Sequence, residues 1–150
     1  MRFANKKPAA ELLSDHSAKS SAPLCIAIVG AGAIGCYLGT MLCQFSDFDV
    51  MFIGRERMAL ESAAYGLTAQ DLDGACYQVT SPVVYTEFEA RRSAQLVLVT
   101  VKALDLELVL TQLSRHLSPD SLVVAMQNGV AIAPLYQQFL TQTVLRAIVP

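Results

Sequence analysis

Three glycines in the run Gly30-Ala31-Gly32-Ala33-Ile34-Gly35 have the spacing of a loop that cradles the phosphates of a dinucleotide. Glycines recur by chance, so context decides what the spacing means. Here the run directly follows Cys25-Ile26-Ala27-Ile28-Val29, a short apolar strand pattern, and it opens a helical pattern from Ala33 to about Phe45. In that context each glycine has a task. Gly30 permits the tight turn, Gly32 lets the backbone approach a pyrophosphate, and Gly35 lets the helix pack close to the strand. Amides exposed at the start of the helix face the phosphate charge. All six residues, Gly30, Ala31, Gly32, Ala33, Ile34 and Gly35, are therefore expected to bind cofactor. The competing reading is a strand-helix turn with a structural role alone.

The ends of the following strands should carry the rest of such a site. Asp49-Val50-Met51-Phe52-Ile53 forms a second strand pattern, ended by Gly54, and Arg55 follows. Enzymes that use NAD usually place an acid there for the ribose hydroxyls, and an acid would repel a 2′-phosphate. Gly54 leaves room for a phosphate, and the Arg55 guanidinium can grip it with two parallel hydrogen bonds. Glu56 stays open as a displaced ribose acid, and Arg55 and Arg57 as solvated charges. Cations are disfavoured at a helix N-terminus without an anion to meet, which points to NADP. Lys102 follows the apolar run Leu96 to Val101, and Asn128 follows Leu122 to Met126 in Gln127-Asn128-Gly129. Both fall beyond the carboxyl ends of strands, where ligands bind in open parallel sheets. Singly, they read equally well as a loop lysine and an ordinary Asn-Gly turn. Together they put a cation and an amide on the rim that holds Gly30 and Arg55.

Such residues need a frame, and the chain supplies an alternating one. Glu56 to Tyr65 suits a helix closed by Gly66, and Leu67 to Thr80 a β-excursion turning at Asp71-Leu72-Asp73-Gly74. Val83-Val84-Tyr85 suits a short strand, and Leu96 to Val101 a strand covered on both faces. A helix from Asp105 to about Leu117, a strand from Leu122 to Met126, a helix from Ala131 to Leu140 and a strand from Val144 to Val149 complete the pattern. Along the first helix, Ile34, Leu38, Leu42 and Phe45 make one apolar side. Strands alternating with helices imply α/β architecture, a Rossmann-type doubly wound, mostly parallel sheet. Met1 to Pro23 reads as a flexible leader and residues 24–150 as the domain. The chain stops at Pro150 just as a strand ends, which suggests truncation.

Composition narrows the function. The 150 residues are 16% charged with a net charge of -2, against a usual charged fraction of about 25%. No basic run suits nucleic acid. The four cysteines, Cys25, Cys36, Cys43 and Cys76, show no metal spacing and read as small thiols in a reducing cytosol. His16 and His116 have no recognisable partner and no assigned role. From Ser20 to Ser46 no residue is charged, and Gly35-x-x-x-Gly39 matches a membrane-helix packing motif. A signal anchor is thus an alternative, opposed by the division of this stretch into strand, turn and helix. No membrane partner is expected.

The set Gly30 to Gly35, Ile53-Gly54-Arg55, Val99-Thr100-Val101-Lys102-Ala103 and Gln127-Asn128-Gly129-Val130 resembles the ketopantoate reductase (2-dehydropantoate 2-reductase) family. The resemblance runs from about Leu24 to the end. It implies NADPH-dependent reduction of a small 2-oxo acid, ketopantoate, to pantoate on the route to pantothenate and coenzyme A in the cytoplasm. It implies that Lys102 and Asn128 contact cofactor near the nicotinamide, Asn128 also touching substrate. Members have about twice this length, with a helical C-terminal domain that supplies a catalytic lysine and a substrate-binding acid. Neither has a counterpart here, so no catalytic residue is expected in this chain. Two departures from the family pattern are Ala131, where a second glycine is common, and Gln95, where an acid often precedes the strand. Paralogues that reduce other 2-oxo acids and a non-catalytic NADP-binding fragment are the alternatives. The missing domain or a second copy of the chain is a candidate partner.

Overall fold

The computed structural model describes residues 22–88, 94–129 and 132–148. The leader up to residue 21 and Ala131 lie outside the described residues, as does the end of the last expected strand. In chain order the elements are β1 (Cys25–Val29), α1 (Ala33–Phe45), β2 (Asp49–Ile53), α2 (Glu56–Tyr65), β3 (Leu67–Gln70), β4 (Cys76–Val79) and β5 (Val83–Tyr85). These are followed by β6 (Leu96–Val99), a 3₁₀ turn (Ala103–Asp105), α3 (Leu106–His116), β7 (Leu122–Ala125), α4 (Ile132–Phe139) and β8 (Thr143–Arg146).

Six strands form one sheet in the order β5-β2-β1-β6-β7-β8, and every pairing in it is parallel. From β1 the chain winds outward through β2 to β5, then crosses to β6 and winds the other way. The doubly wound fold expected of the sequence is therefore present, with its switch point between β1 and β6, where such sheets open a crevice. β3 and β4 pair antiparallel as a separate hairpin, turned at Asp71–Gly74 with Gly74 at φ 90.

Continuous apolar strands are needed because both sheet faces are covered. Ile26, Ile28, Val50 and Phe52 pack with Leu42, Cys43 and Met58 of α1 and α2 on one face. Ala27, Val29, Met51, Ile53, Val97, Val99 and Val123 pack with Leu106, Leu110 and Leu113 of α3 on the other. Those three leucines, spaced as one helical stripe, are at most 1% exposed. Each fully buried leucine contributes about 1.5–3 kcal/mol.

The inward side of α1 differs from the expected one. Ile34 and Phe45 are 46% and 66% exposed, whereas Gly35, Gly39 and Thr40 are buried. The cause is close approach: a Cβ on Gly39 would fall on the Phe52 ring. The small residues let the helix lie against β1 and β2, and the same glycines account for the Gly35-x-x-x-Gly39 spacing without a membrane. Phe45 instead meets Tyr77 of the hairpin edge-on, ring centroids 5.2 Å apart. Among the described residues no helix is long and apolar enough to cross a membrane.

The expected strand through Val101 ends at Val99, although the Thr100 N–H still donates to the Val29 carbonyl of β1 at 2.8 Å. Gln95 answers the departure noted above: its Oε1 accepts the Cys25 N–H at 2.8 Å, so a neutral amide anchors the start of β1.

Candidate cofactor site

The three glycines of the Gly30–Gly35 loop differ in what surrounds them. Gly30 has φ 101, and a Cβ there would stand 2.6 Å from Val101 Cγ1 and 2.7 Å from the Val101 nitrogen. A Cβ on Gly35 would stand 2.6 Å from Thr100 Oγ1 and still closer to the Gly30 carbonyl. Both positions are closed to any side chain by packing. Gly32 is the opposite case, with nothing within 4 Å of a Cβ placed on it. A side chain there would project into open space at the mouth of α1. No side chain caps α1 and none in its first turn is acidic, so its first amides and the positive end of its dipole face that space unopposed.

The open space is a cleft of about 1170 Å³ at the carboxyl ends of the strands. The whole loop Gly30–Ile34 lines it, as do Arg55 from the end of β2 and Lys102 from the end of β6. Its walls include Met58 of α2 and Leu108 of α3, apolar surfaces of the kind a flat ring system needs. The size, the unopposed amides and the missing Cβ together fit a dinucleotide. Asn128 is placed differently from Lys102. It follows β7, one strand farther along the same rim, and is not among the residues lining the cleft.

Arg55 caps α2 and is exposed, yet it has an anion to meet within the chain. Its Nη2 lies 3.4 Å from Asp105 Oδ2, which reaches across from the 3₁₀ turn after β6. Arg57 pairs with Glu61 at 2.8 Å. Neither cation therefore depends on an external anion, contrary to the expectation from the helix N-terminus. The Arg55–Asp105 pair is 87% and 49% exposed, so it contributes only about 0–1 kcal/mol and a stronger ligand can displace it. Gly54 also does less to leave room than its lack of a side chain suggested: a Cβ there would sit 3.0 Å from Ala31 Cβ and 3.2 Å from Met58 Sδ. Glu56 does not line the cleft, whereas Asp105 does.

Hydrogen bonds lace the rim from one strand end to the next. The Gly30 N–H donates to the Ile53 carbonyl at 2.9 Å. Thr100 Oγ1 donates to the carbonyls of Val29, at 3.1 Å, and Gly30, at 2.5 Å. Gln127 Nε2 donates to Val99 and Val101, and Arg146 Nη2 donates to the Gly129 carbonyl at 2.9 Å. Sequence reasoning assigned no role to Thr100, Gln127 or Asp105. The available signal was a polar residue immediately after a buried strand. Cys36 also lines the cleft, but burial pushes its thiol up and its Sγ donates to the Ala31 carbonyl at 3.4 Å, so it is a poor nucleophile.

Residues 26–150 match the protein family described as Ketopantoate reductase PanE/ApbA. No match was found among curated proteins. Among solved structures, a PanE/ApbA family ketopantoate reductase from Ralstonia eutropha JMP134 is 32% identical with a TM-score of 0.76, over 84% of this chain and 41% of that one. A 2-dehydropantoate 2-reductase from Geobacter metallireducens GS-15 is 33% identical with a TM-score of 0.63, over 75% and 38%. A D-mandelate dehydrogenase, solved with NADH and anilino(oxo)acetate, is 26% identical with a TM-score of 0.69, over 81% and 39%. The chain thus spans about two fifths of the length of these structures. With a family match over most of its length and a glycine loop at the switch point of a doubly wound sheet, the chain belongs to the ketopantoate reductase PanE/ApbA family.

Proposed function

We propose that this chain is the cofactor half of an NADPH-dependent reductase of small 2-oxo acids, with ketopantoate as the first candidate substrate. The observation that carries the proposal is the loop Gly30–Ile34 opening on one cleft with Arg55 on one side and Lys102 on another. When bound, the cofactor would supply the hydride. The chain's own residues bind and orient. The first amides of α1 take the pyrophosphate, with Gly32 admitting it to backbone contact. Arg55 leaves Asp105 for the 2′-phosphate, exchanging an exposed ion pair for a bidentate one. Lys102 places a cation on the side of the cleft formed by β6, and Asn128 presents its amide farther along the rim toward substrate. A small 2-oxo acid is the expected partner, with a further domain or a second copy as the other wall. A cytoplasmic location accords with thiols that are all free.

Asp105 favours one second reading. A carboxylate in the cleft can accept from ribose hydroxyls, which would suit NADH, the cofactor with which the D-mandelate dehydrogenase was solved. Titration of the native chain and of Arg55→Ala with both cofactors separates the two. NADPH should bind more tightly than NADH, and Arg55→Ala should remove most of the difference. An unchanged ratio would take the 2′-phosphate away from Arg55.

A further inference from the structure

We propose that Gln127 is a positioning residue of the cofactor site, one that fixes Lys102 by holding the backbone immediately before it. The inference rests on Lys102 as a cofactor contact. Gln127 lies just past β7 and is 8% exposed, a depth at which an amide has to be hydrogen-bonded. Its Nε2 donates to the carbonyls of Val99 and Val101, each at 2.9 Å, and its Oε1 accepts from the Tyr136 hydroxyl at 2.8 Å. Only one orientation of the amide satisfies this set, because carbonyls accept and cannot donate.

The two carbonyls bracket the point where the chain leaves the sheet. Val99 is the last residue of β6, and Val101 directly precedes Lys102. Between them, Thr100 reaches the other way, to the carbonyls of Val29 and Gly30. The turn is thus clasped to β7 through Gln127 and to β1 through Thr100. Lys102 itself stays exposed, so its backbone is set while its side chain is free to meet a ligand. Tyr136, 1% exposed on α4, completes the clasp. Burial pushes its phenol well above the ordinary range, against a smaller opposing effect of the Gln127 bond, so it remains a donor.

The test is NADPH affinity by fluorescence titration in the native chain, Gln127→Met, Lys102→Ala and the double variant. Met keeps the volume and cannot donate. Loss of the clasp should weaken NADPH by about two- to tenfold, the span of one ordinary hydrogen bond. In the double variant the combined loss should fall short of the product of the single losses by most of the Gln127→Met loss, because without the Lys102 side chain its positioning no longer matters. Losses that simply multiply, or no loss in Gln127→Met, would overturn the proposal, since a merely structural residue acts alike in both backgrounds. If Gln127→Met does not fold, Tyr136→Phe carries the test: amide exchange at Val101 and Lys102 should quicken and NADPH weaken, and no change in either overturns it. Should Lys102→Ala by itself bind NADPH as well as the native chain, Lys102 is no cofactor contact and both ideas fall. Failure of the Gln127 proposal alone leaves Lys102→Ala weakened.

Discussion

Gly32 and Gly35 belong to one loop, yet alanine should affect them in opposite ways. A Cβ on Gly32 meets nothing within 4 Å, and the residue sits at φ -87 ψ -169, extended backbone open to any amino acid. Gly32→Ala should therefore fold normally, with a gain of up to about 0.4–1 kcal/mol from the stiffer unfolded chain. Its methyl group projects into the space assigned to the pyrophosphate. Overpacking of that order costs about 1–3 kcal/mol, which is roughly five- to 150-fold in affinity. Gly35→Ala puts its methyl 2.6 Å from Thr100 Oγ1 and 3.1 Å from Ile28 Cγ2. There the same cost of about 1–3 kcal/mol falls on folding, or roughly 2–12 °C in Tm for a domain of this size. Thermal melting and NADPH titration of both variants give the comparison. Gly32→Ala binding as tightly as the native chain would refute the placement of the pyrophosphate, even if the melting temperatures came out as expected.

Other outcomes follow from the same site. Arg55→Ala should cut the preference for NADPH over NADH by about ten- to a hundredfold, the range of a charge-assisted hydrogen bond; both dissociation constants are read by titration. Asp105→Asn should tighten NADPH by about two- to fivefold, because it releases Arg55 from an exposed pair; weaker NADPH binding would instead mark Asp105 as a ribose ligand. Cys76 is exposed whereas burial raises the Cys36 thiol, so iodoacetamide at mildly alkaline pH should alkylate Cys76 first, as peptide mass analysis can follow. Cys36 reacting first would contradict the buried setting. The chain by itself should not oxidise NADPH with ketopantoate, since general acid catalysis contributes about 10²–10⁴-fold and the resemblance places the catalytic lysine outside these residues. Turnover that vanishes in Lys102→Ala would give that task to Lys102.

The frame was legible because hydrophobic periodicity records which faces must be covered. Every strand and helix expected from Leu24 onward has a counterpart among the described residues, including the short Val83–Tyr85. The glycine loop was legible as a strand-to-helix turn because β1 and α1 flank it directly in sequence, whereas the Val101 and Thr100 atoms that close Gly30 and Gly35 to side chains come from about 70 residues away. What could not be read was proximity across the fold. The Arg55–Asp105 pair joins residues 50 apart, and nothing local to either announces the other. Gln127 had no assigned role, because its partners Val99 and Val101, at and just past the end of β6, are 28 and 26 residues away. The inward side of α1 was misjudged for a related reason. Periodicity marks large apolar residues, while close packing against Phe52 selected Gly39, which carries no hydrophobic signal. The sequence likewise put Asn128 on the rim, and only the sheet order shows it one strand away from Lys102.

The central claim is that the cleft beside Gly32 holds NADPH, and equilibrium titration of the purified chain with NADPH tests it most directly. The account predicts saturable one-to-one binding that adenosine 2′,5′-bisphosphate competes away, with Gly32→Ala losing affinity while melting like the native chain. No saturable signal from a folded chain, or binding that Gly32→Ala leaves unchanged, would contradict it.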